Sequence, residues 1–348
     1  MLHRLEEISE ELLQCPAWEL HKILPGPTLI SLDGLNKQPL FLSVLLHGNE
    51  DTGWEVIRSL MRDYQGRPLP RAMCIFIGNV KAAAQQRRKL DTQPDFNRVW
   101  DGSNDSPEAE LIQTVLREMQ QRQLFASIDI HNNTGLNPHY ACINSLQAEF
   151  LNLARRFSRT IVYFVRPRSV QSLAFSRFCP ALTLECGQSG DRLGIEKARH
   201  FVEQVLQLAE HPGEFPADAS YDLFHTTAVI KIPDELSISF DGSDADIQFI
   251  AGIEKHNFEE IDAGTPLATI NTALSQPFRV LEESGKDVFA EFFILKDSQL
   301  FTRKPVTPSM LTDNITIVRQ DCLCYLMERY QLQWGEKEII EAGDSWTS

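Results

Sequence analysis

The sequence has no C-x-x-C pair, no excess of positive charge and no long uninterrupted apolar run, and each absence removes a class of function. Its seven cysteines (Cys15, Cys74, Cys142, Cys179, Cys186, Cys322, Cys324) are odd in number, and Cys74 sits in the apolar run Met73-Cys74-Ile75-Phe76. They read as free core thiols of a reducing compartment, not as a disulfide framework or a thiolate metal site. With 33 Lys+Arg against 48 Asp+Glu the formal net charge is −15, which repels a phosphate backbone and excludes nucleic acid as the expected partner. No segment approaches the roughly 18 apolar residues that a membrane helix requires. The N-terminal MLHRLEEISEELLQ mixes charge with Leu and Ile at helical spacing, so it is expected to be a surface helix and not a signal peptide. The expectation is a cytoplasmic protein with no membrane partner. No predicted strand is followed by G-x-G-x-x-G, which removes the dinucleotide-enzyme reading, and no internal repeat or low-complexity tract is found.

What is present is a globular composition. Over 348 residues, 43% are hydrophobic and 23% charged, enough for a packed core of two domains or of one large α/β domain with an appendage. Strand-like and helix-like segments alternate through the first half. Apolar runs at 39–46, 72–77, 127–130 and 181–184 read as buried strands, and 54–64, 107–121, 149–157 and 195–208 as helices. Pro107, with Glu108 and Glu110 in the first turn, is favourable at a helix start. Such alternation predicts an α/β fold with a mostly parallel central sheet covered by helices on both faces.

The texture changes around His211-Pro212-Gly213. Beyond it come short β-type segments at 228–232, 247–251, 267–271 and 288–295, separated by turn residues such as Asp241-Gly242 and Ser284-Gly285-Lys286. The expected organisation is a catalytic α/β domain at 1–212, a smaller all-β domain at 213–310 that contributes to the cleft, and a C-terminal extension at 311–348 of unassigned role. Within the extension, 315–318 reads as a strand and 322–330 as a helix.

Candidate ligands stand where predicted strands give out. His47 and Glu50 follow the first strand, His131 follows Ser127-Ile128-Asp129-Ile130, and Glu185 follows Ala181-Leu182-Thr183-Leu184. In an open α/β sheet the ligand crevice lies at the carboxyl ends of the strands, so these distant residues are predicted to converge. Two imidazoles and a carboxylate are the ligand set of many catalytic zinc sites. Taken singly, each residue is more often a satisfied core or surface group than a ligand.

The joint order His47-Gly48-Asn49-Glu50, Asp95-Phe96-Asn97-Arg98, Asp129-Ile130-His131-Asn132 and Glu185 resembles the aspartoacylase and succinylglutamate desuccinylase family, a branch of the zinc carboxypeptidase superfamily. The resemblance spans roughly residues 40 to 300. It implies the fold above and a bound Zn2+ held by His47, Glu50 and His131. It also implies that Glu185 is the carboxylate that activates the attacking water and then protonates the leaving nitrogen, a role that general acid–base chemistry supports independently. Arg88 matches the arginine that polarises the scissile carbonyl, with Arg87 as its rival. Asn97 and Arg98 match the pair that grips a substrate carboxylate. Asp129 is expected to support the His131 region, as metal-bound histidines commonly require.

Two departures bear on specificity. Arg177 stands nearer to Glu185 than the family's further carboxylate-binding arginine does, with Arg166 and Arg168 as alternatives, and Leu300-Phe301-Thr302 stands where a tyrosine is expected. Specificity for aspartate or succinylglutamate therefore lacks its residues. The leading expectation is a zinc-dependent amidohydrolase acting on a small carboxylate-bearing substrate. The alternatives are a metallocarboxypeptidase acting on a short or modified peptide, and a non-catalytic metal-binding module; self-association is left open. His139 is read as a loop histidine outside the metal set, and Cys186 as a packed thiol.

Overall fold

The computed structural model describes residues 1–216 and 220–332; residues 333–348 of the expected extension lie outside the described residues. Its frame is a 12-stranded mixed sheet flanked by helices, accompanied by a separate five-stranded sheet. At the centre of the large sheet run Leu69–Ile77, Gly34–Val44, Ala126–His131 and Ala181–Glu185, side by side and parallel. Both faces of these strands are covered, which is why Ala126–His131 and Ala181–Glu185 are buried at every position and read as continuous apolar runs and not as alternation. The helices form where the pattern turns to the helical period. Pro107–Gln120 starts on Ser106, whose hydroxyl accepts from the Ala109 N–H, and buries Leu111, Ile112, Val115 and Met119. Thr52–Asp63, Ala148–Phe157 and Arg192–Gln207 are the other long helices at the expected places.

Beyond residue 220 the large sheet continues. Asp222–Lys231 pairs in parallel with Thr160–Tyr163, and Cys324–Arg329 pairs antiparallel with Asp222–Lys231. The smaller sheet is built from Ile238–Ser239, Ile247–Phe249, Pro266–Ile270, Gln299–Thr302 and Phe293–Lys296, over an apolar core that includes Ile247, Phe249, Leu267, Phe278 and Leu300.

Local expectation fails at several places, among them 288–295, read as β-type, where Phe289–Phe292 is a short helix ahead of the strand Phe293–Lys296. Ile315–Gln320 is a helix, not a strand, although β-branched residues open it, because the Asn314 side chain caps the Ile317 N–H. Cys324–Arg329 is a strand, not a helix, since the long edge of Asp222–Lys231 is there to pair with and Cys324, Leu326 and Met327 are buried by doing so. At the N-terminus, His3–Leu5 is a strand that pairs with Thr28–Leu32 at the edge of the large sheet, and only Glu10–Gln14 is helical. Among the described residues no helix is long and apolar enough to cross a membrane, and all seven cysteines are buried and unpaired.

Candidate metal centre and its cleft

The parallel register brings the strand ends together. His131 lies directly opposite Glu185 across the pair Ala126–His131 and Ala181–Glu185, and Ser43, near the end of Gly34–Val44, lies opposite Asp129. After Val44 the chain turns sharply, with Leu45 at φ 55°, and delivers His47 and Glu50 to the same edge before the helix Thr52–Asp63 begins. Gly48 permits this turn: a Cβ there would stand 2.2 Å from the Ala82 and Ala83 backbone.

His47, Glu50 and His131 form one buried cluster whose ligand atoms lie within 4.8 Å of one another. Glu50 sits between the two rings, 2.8 Å from His47 Nδ1 through Oε1 and 2.6 Å from His131 Nδ1 through Oε2. Each ring's other nitrogen faces an aspartate: His47 Nε2 lies 3.0 Å from Asp95 and His131 Nε2 2.7 Å from Asp129. Asp129 is held in turn by the Ser43 hydroxyl at 2.6 Å. This is the arrangement that fixes ring orientation and raises ligand basicity in metal sites. Burial disfavours the Glu50 carboxylate, but the two imidazoles outweigh it and hold its pKa far below the usual range. Burial likewise opposes the His131 imidazolium, yet Asp129 and Glu50 prevail and raise its pKa well above the ordinary value. Two imidazole nitrogens and a carboxylate converging on one point are a nitrogen and oxygen donor set that suits zinc.

Glu185 and this cluster line one open cleft. Burial pushes its pKa up to about 7, with Glu50 adding to the rise and His131 opposing it, while the Asn133 amide donates to it at 3.3 Å. Arg88 lines the same cleft, bound through Nε to Asp95 at 2.9 Å, with Nη1 4.0 Å from Glu50. Arg87, its rival, pairs with Asp91 on the surface. Asn97 and Arg98 also line the cleft, but both have internal partners. The Asn97 amide oxygen accepts from the Gln171 N–H at 2.8 Å, and its nitrogen lies 3.4 Å from Asp129. Arg98 is paired with Asp321.

Arg177 does not join the site: it is exposed in the segment after the short helix Gln171–Phe175 and does not line the cleft. Arg166 does line it, with no carboxylate within ion-pair distance among the described residues. His139 pairs with Asp191 at 2.8 Å, away from the metal cluster. Cys186 is a fully buried thiol whose pKa burial raises well above the ordinary value, fitting a packed residue. Much of the remaining wall is apolar or aromatic, from Tyr140, Cys142, Val162, Phe164, Met310 and Tyr325. Beyond residue 212 the lining comes from Thr226, Ser309, Met310, Asp321 and Tyr325, and none of it from the five-stranded sheet.

Sequence reasoning left Asp95 without a role, although it stands in the motif two residues before Asn97. It missed Asp321 and Tyr325 altogether, since no recognisable motif marks that segment.

Residues 36–211 match the model of the succinylglutamate desuccinylase/aspartoacylase catalytic domain. The chain belongs to this family. Solved structures of the family share its fold over most of their length. The succinylglutamate desuccinylase of Chromobacterium violaceum superposes with a TM-score of 0.56 at 14% identity, covering 86% of this chain and 87% of that one. A succinylglutamate desuccinylase/aspartoacylase from Rhodobacter sphaeroides gives 0.56 at 14% identity, over 86% and 88%. Murine aminoacylase 3 gives 0.54 at 15% identity, over 85% and 96%. At these identities the likeness is one of fold. No curated protein sequence matches the chain.

Proposed function

We propose that this member of a hydrolase family is a zinc-dependent amidohydrolase that cleaves the amide bond of a small, carboxylate-bearing N-acyl compound. The observation that carries the reading is the convergence of His47, Glu50 and His131 on one point, opposite Glu185 and beside Arg88, in a single cleft. His47, Glu50 and His131 hold the metal. Zinc, when bound, supplies a Lewis acid and makes water acidic enough to attack near neutral pH. Glu185, with a pKa near 7, takes the proton of the attacking water and hands it to the leaving nitrogen. Arg88 turns Nη1 toward the cluster and stabilises the charge that develops on the carbonyl oxygen. Asp95 and Asp129 hold the ligand rings.

The apolar wall of Tyr140, Val162, Phe164 and Met310 receives the apolar part of the substrate. Arg166, the cation of the cleft without a carboxylate partner among the described residues, meets the substrate's free carboxylate. Residues 1–212 form the catalytic unit, and the segments 213–310 and 311–348 close its cleft through Thr226, Ser309, Met310, Asp321 and Tyr325. Seven unpaired buried thiols suit a reducing compartment such as the cytoplasm.

The test is metal analysis of the purified protein together with amine release from a panel of N-acyl amino acids and short peptides, wild type beside Glu185→Ala. Stoichiometric zinc and Glu185-dependent release support the reading. Release from peptides alone moves it to a carboxypeptidase, and absence of metal or an equally active variant overturns it.

A further inference from the structure

The cleft contains a second, partly buried cluster of charge. Arg88 and Arg98, two guanidiniums beside the metal ligands, form an anion site by their chemistry, since such groups bind carboxylates strongly and directionally. That site already holds a carboxylate of this chain. Arg98 Nη2 lies 2.9 and 2.8 Å from the two oxygens of Asp321, and Arg88 Nη2 lies 3.3 Å from one of them. Arg98 Nη1 is taken by the carbonyl of Asn97 at 2.9 Å. Lys231 adds a third cation, 3.6 Å from Asp321 Oδ1, and its ammonium also donates to the Asp321 carbonyl.

The position of Asp321 is fixed by the fold. It closes the helix Ile315–Gln320, donating its N–H to the carbonyl of Ile317, and two residues later the Leu323 N–H bonds to Ile230 as the chain enters the sheet. Arg319, on the same helix, is tied to the carbonyls of Pro233 and Leu236. Cys322, Leu323 and Cys324 are buried immediately after it. Such anchoring on both sides belongs to a built wall and not to a strap that swings.

We infer that Asp321 is a specificity-determining residue: it closes the Arg98 side of this anion site with an internal carboxylate, so that the substrate group seated against Arg98 carries no negative charge, while Arg88 Nη1 stays turned to the metal ligands. A second carboxylate brought to Arg98 would lie beside the first, and like charges in a partly buried site repel. This rests on the cleft being the substrate site proposed above, and it redirects the substrate's own carboxylate away from Arg98.

The test uses N-acetylmethionine and its carboxamide, which differ in one carboxylate, titrated calorimetrically into the metal-loaded protein. Asp321→Asn should bind the acid about tenfold or more tightly than wild type does, with the carboxamide little changed. The charge-balanced double variant Arg98→Gln/Asp321→Asn should return to the wild-type ratio of acid to carboxamide. Acetate, compared with chloride at equal ionic strength, should raise the melting temperature of Asp321→Asn and not that of wild type, which reads the vacated site even in a weakened fold. The inference is overturned by no gain for the acid in Asp321→Asn, or by a double variant that binds the acid clearly worse than wild type, because Arg98 would then already be receiving it. Binding and melting need no turnover, so failure of the hydrolase reading, seen in metal content and in Glu185→Ala, is told apart from failure here.

Discussion

Two carboxylates, Glu50 buried and Asp321 partly so, lie within one cleft, each between two nitrogenous side chains, and they do opposite things. Glu50 lies between His47 and His131, whose imidazoles can lose a proton and are common metal ligands. Asp321 lies between Arg88 and Arg98, which stay charged at any ordinary pH and offer no lone pair. The first cluster can give up a proton and take a cation. The second can only keep its charges paired. The same geometry, a shared carboxylate, gives a cluster able to hold a metal in one case and a fixed wall in the other, and the identity of the flanking side chains decides which.

The comparison is broken most directly at the ligands. His47→Ala or Glu50→Ala should lose bound zinc and leave no measurable turnover, whereas Asp321→Asn should keep the metal content of wild type; metal analysis of the three proteins checks both halves. Next in size, Glu185→Gln should bind zinc normally and lose about 10²- to 10⁴-fold in kcat, the range expected of a general base. Asp129→Asn should weaken zinc binding about 10- to 100-fold, measured by competition with a chelator, because the His131 ring loses the carboxylate at its far nitrogen.

Acidity separates the two clusters further. Glu185 must be ionised to accept a proton, and its pKa lies at about 7, so kcat/KM should fall as pH drops through and below neutrality. Burial opposes the Asp321 charge, but Arg98, Arg88 and Lys231 together hold its pKa below the ordinary value. Its stabilising contribution is therefore complete above the unfolded value of about 4 and is lost as pH falls through the lower folded value. The gap in melting temperature between wild type and Asp321→Asn should be widest near neutral pH and narrow below about pH 4. The smallest effect belongs to Arg87→Ala, which removes an exposed pair with Asp91 and should change stability by less than about 1 kcal/mol and activity not at all.

The two clusters also differ in how far the sequence announces them. His47, Glu50, His131 and Glu185 could be read because each follows an apolar run, and parallel strands must end on a common edge. The alternating strands and helices of the first half were legible for the same reason. Asp321 was not. It follows Ile315-Thr316-Ile317-Val318, whose β-branched side chains suggest a strand, and precedes a strand whose pairing partner, Asp222–Lys231, lies far back along the chain. Long-range pairing overrode local propensity there, and with it went the prediction of what faces the cleft. Arg177 misled for a related reason: distance along the chain from Glu185 says nothing of which side of the helix Gln171–Phe175 the next residues leave from, and Arg166 lines the cleft instead.

Everything proposed for the cleft turns on zinc binding at His47, Glu50 and His131 opposite a working Glu185. The measurement that meets it most directly is zinc per chain and amine release from N-acyl amino acids, on wild type and Glu185→Gln prepared side by side. The account predicts one zinc per chain in both proteins and amine release from wild type alone. A protein that binds no zinc, or a Glu185→Gln variant as active as wild type, would contradict it.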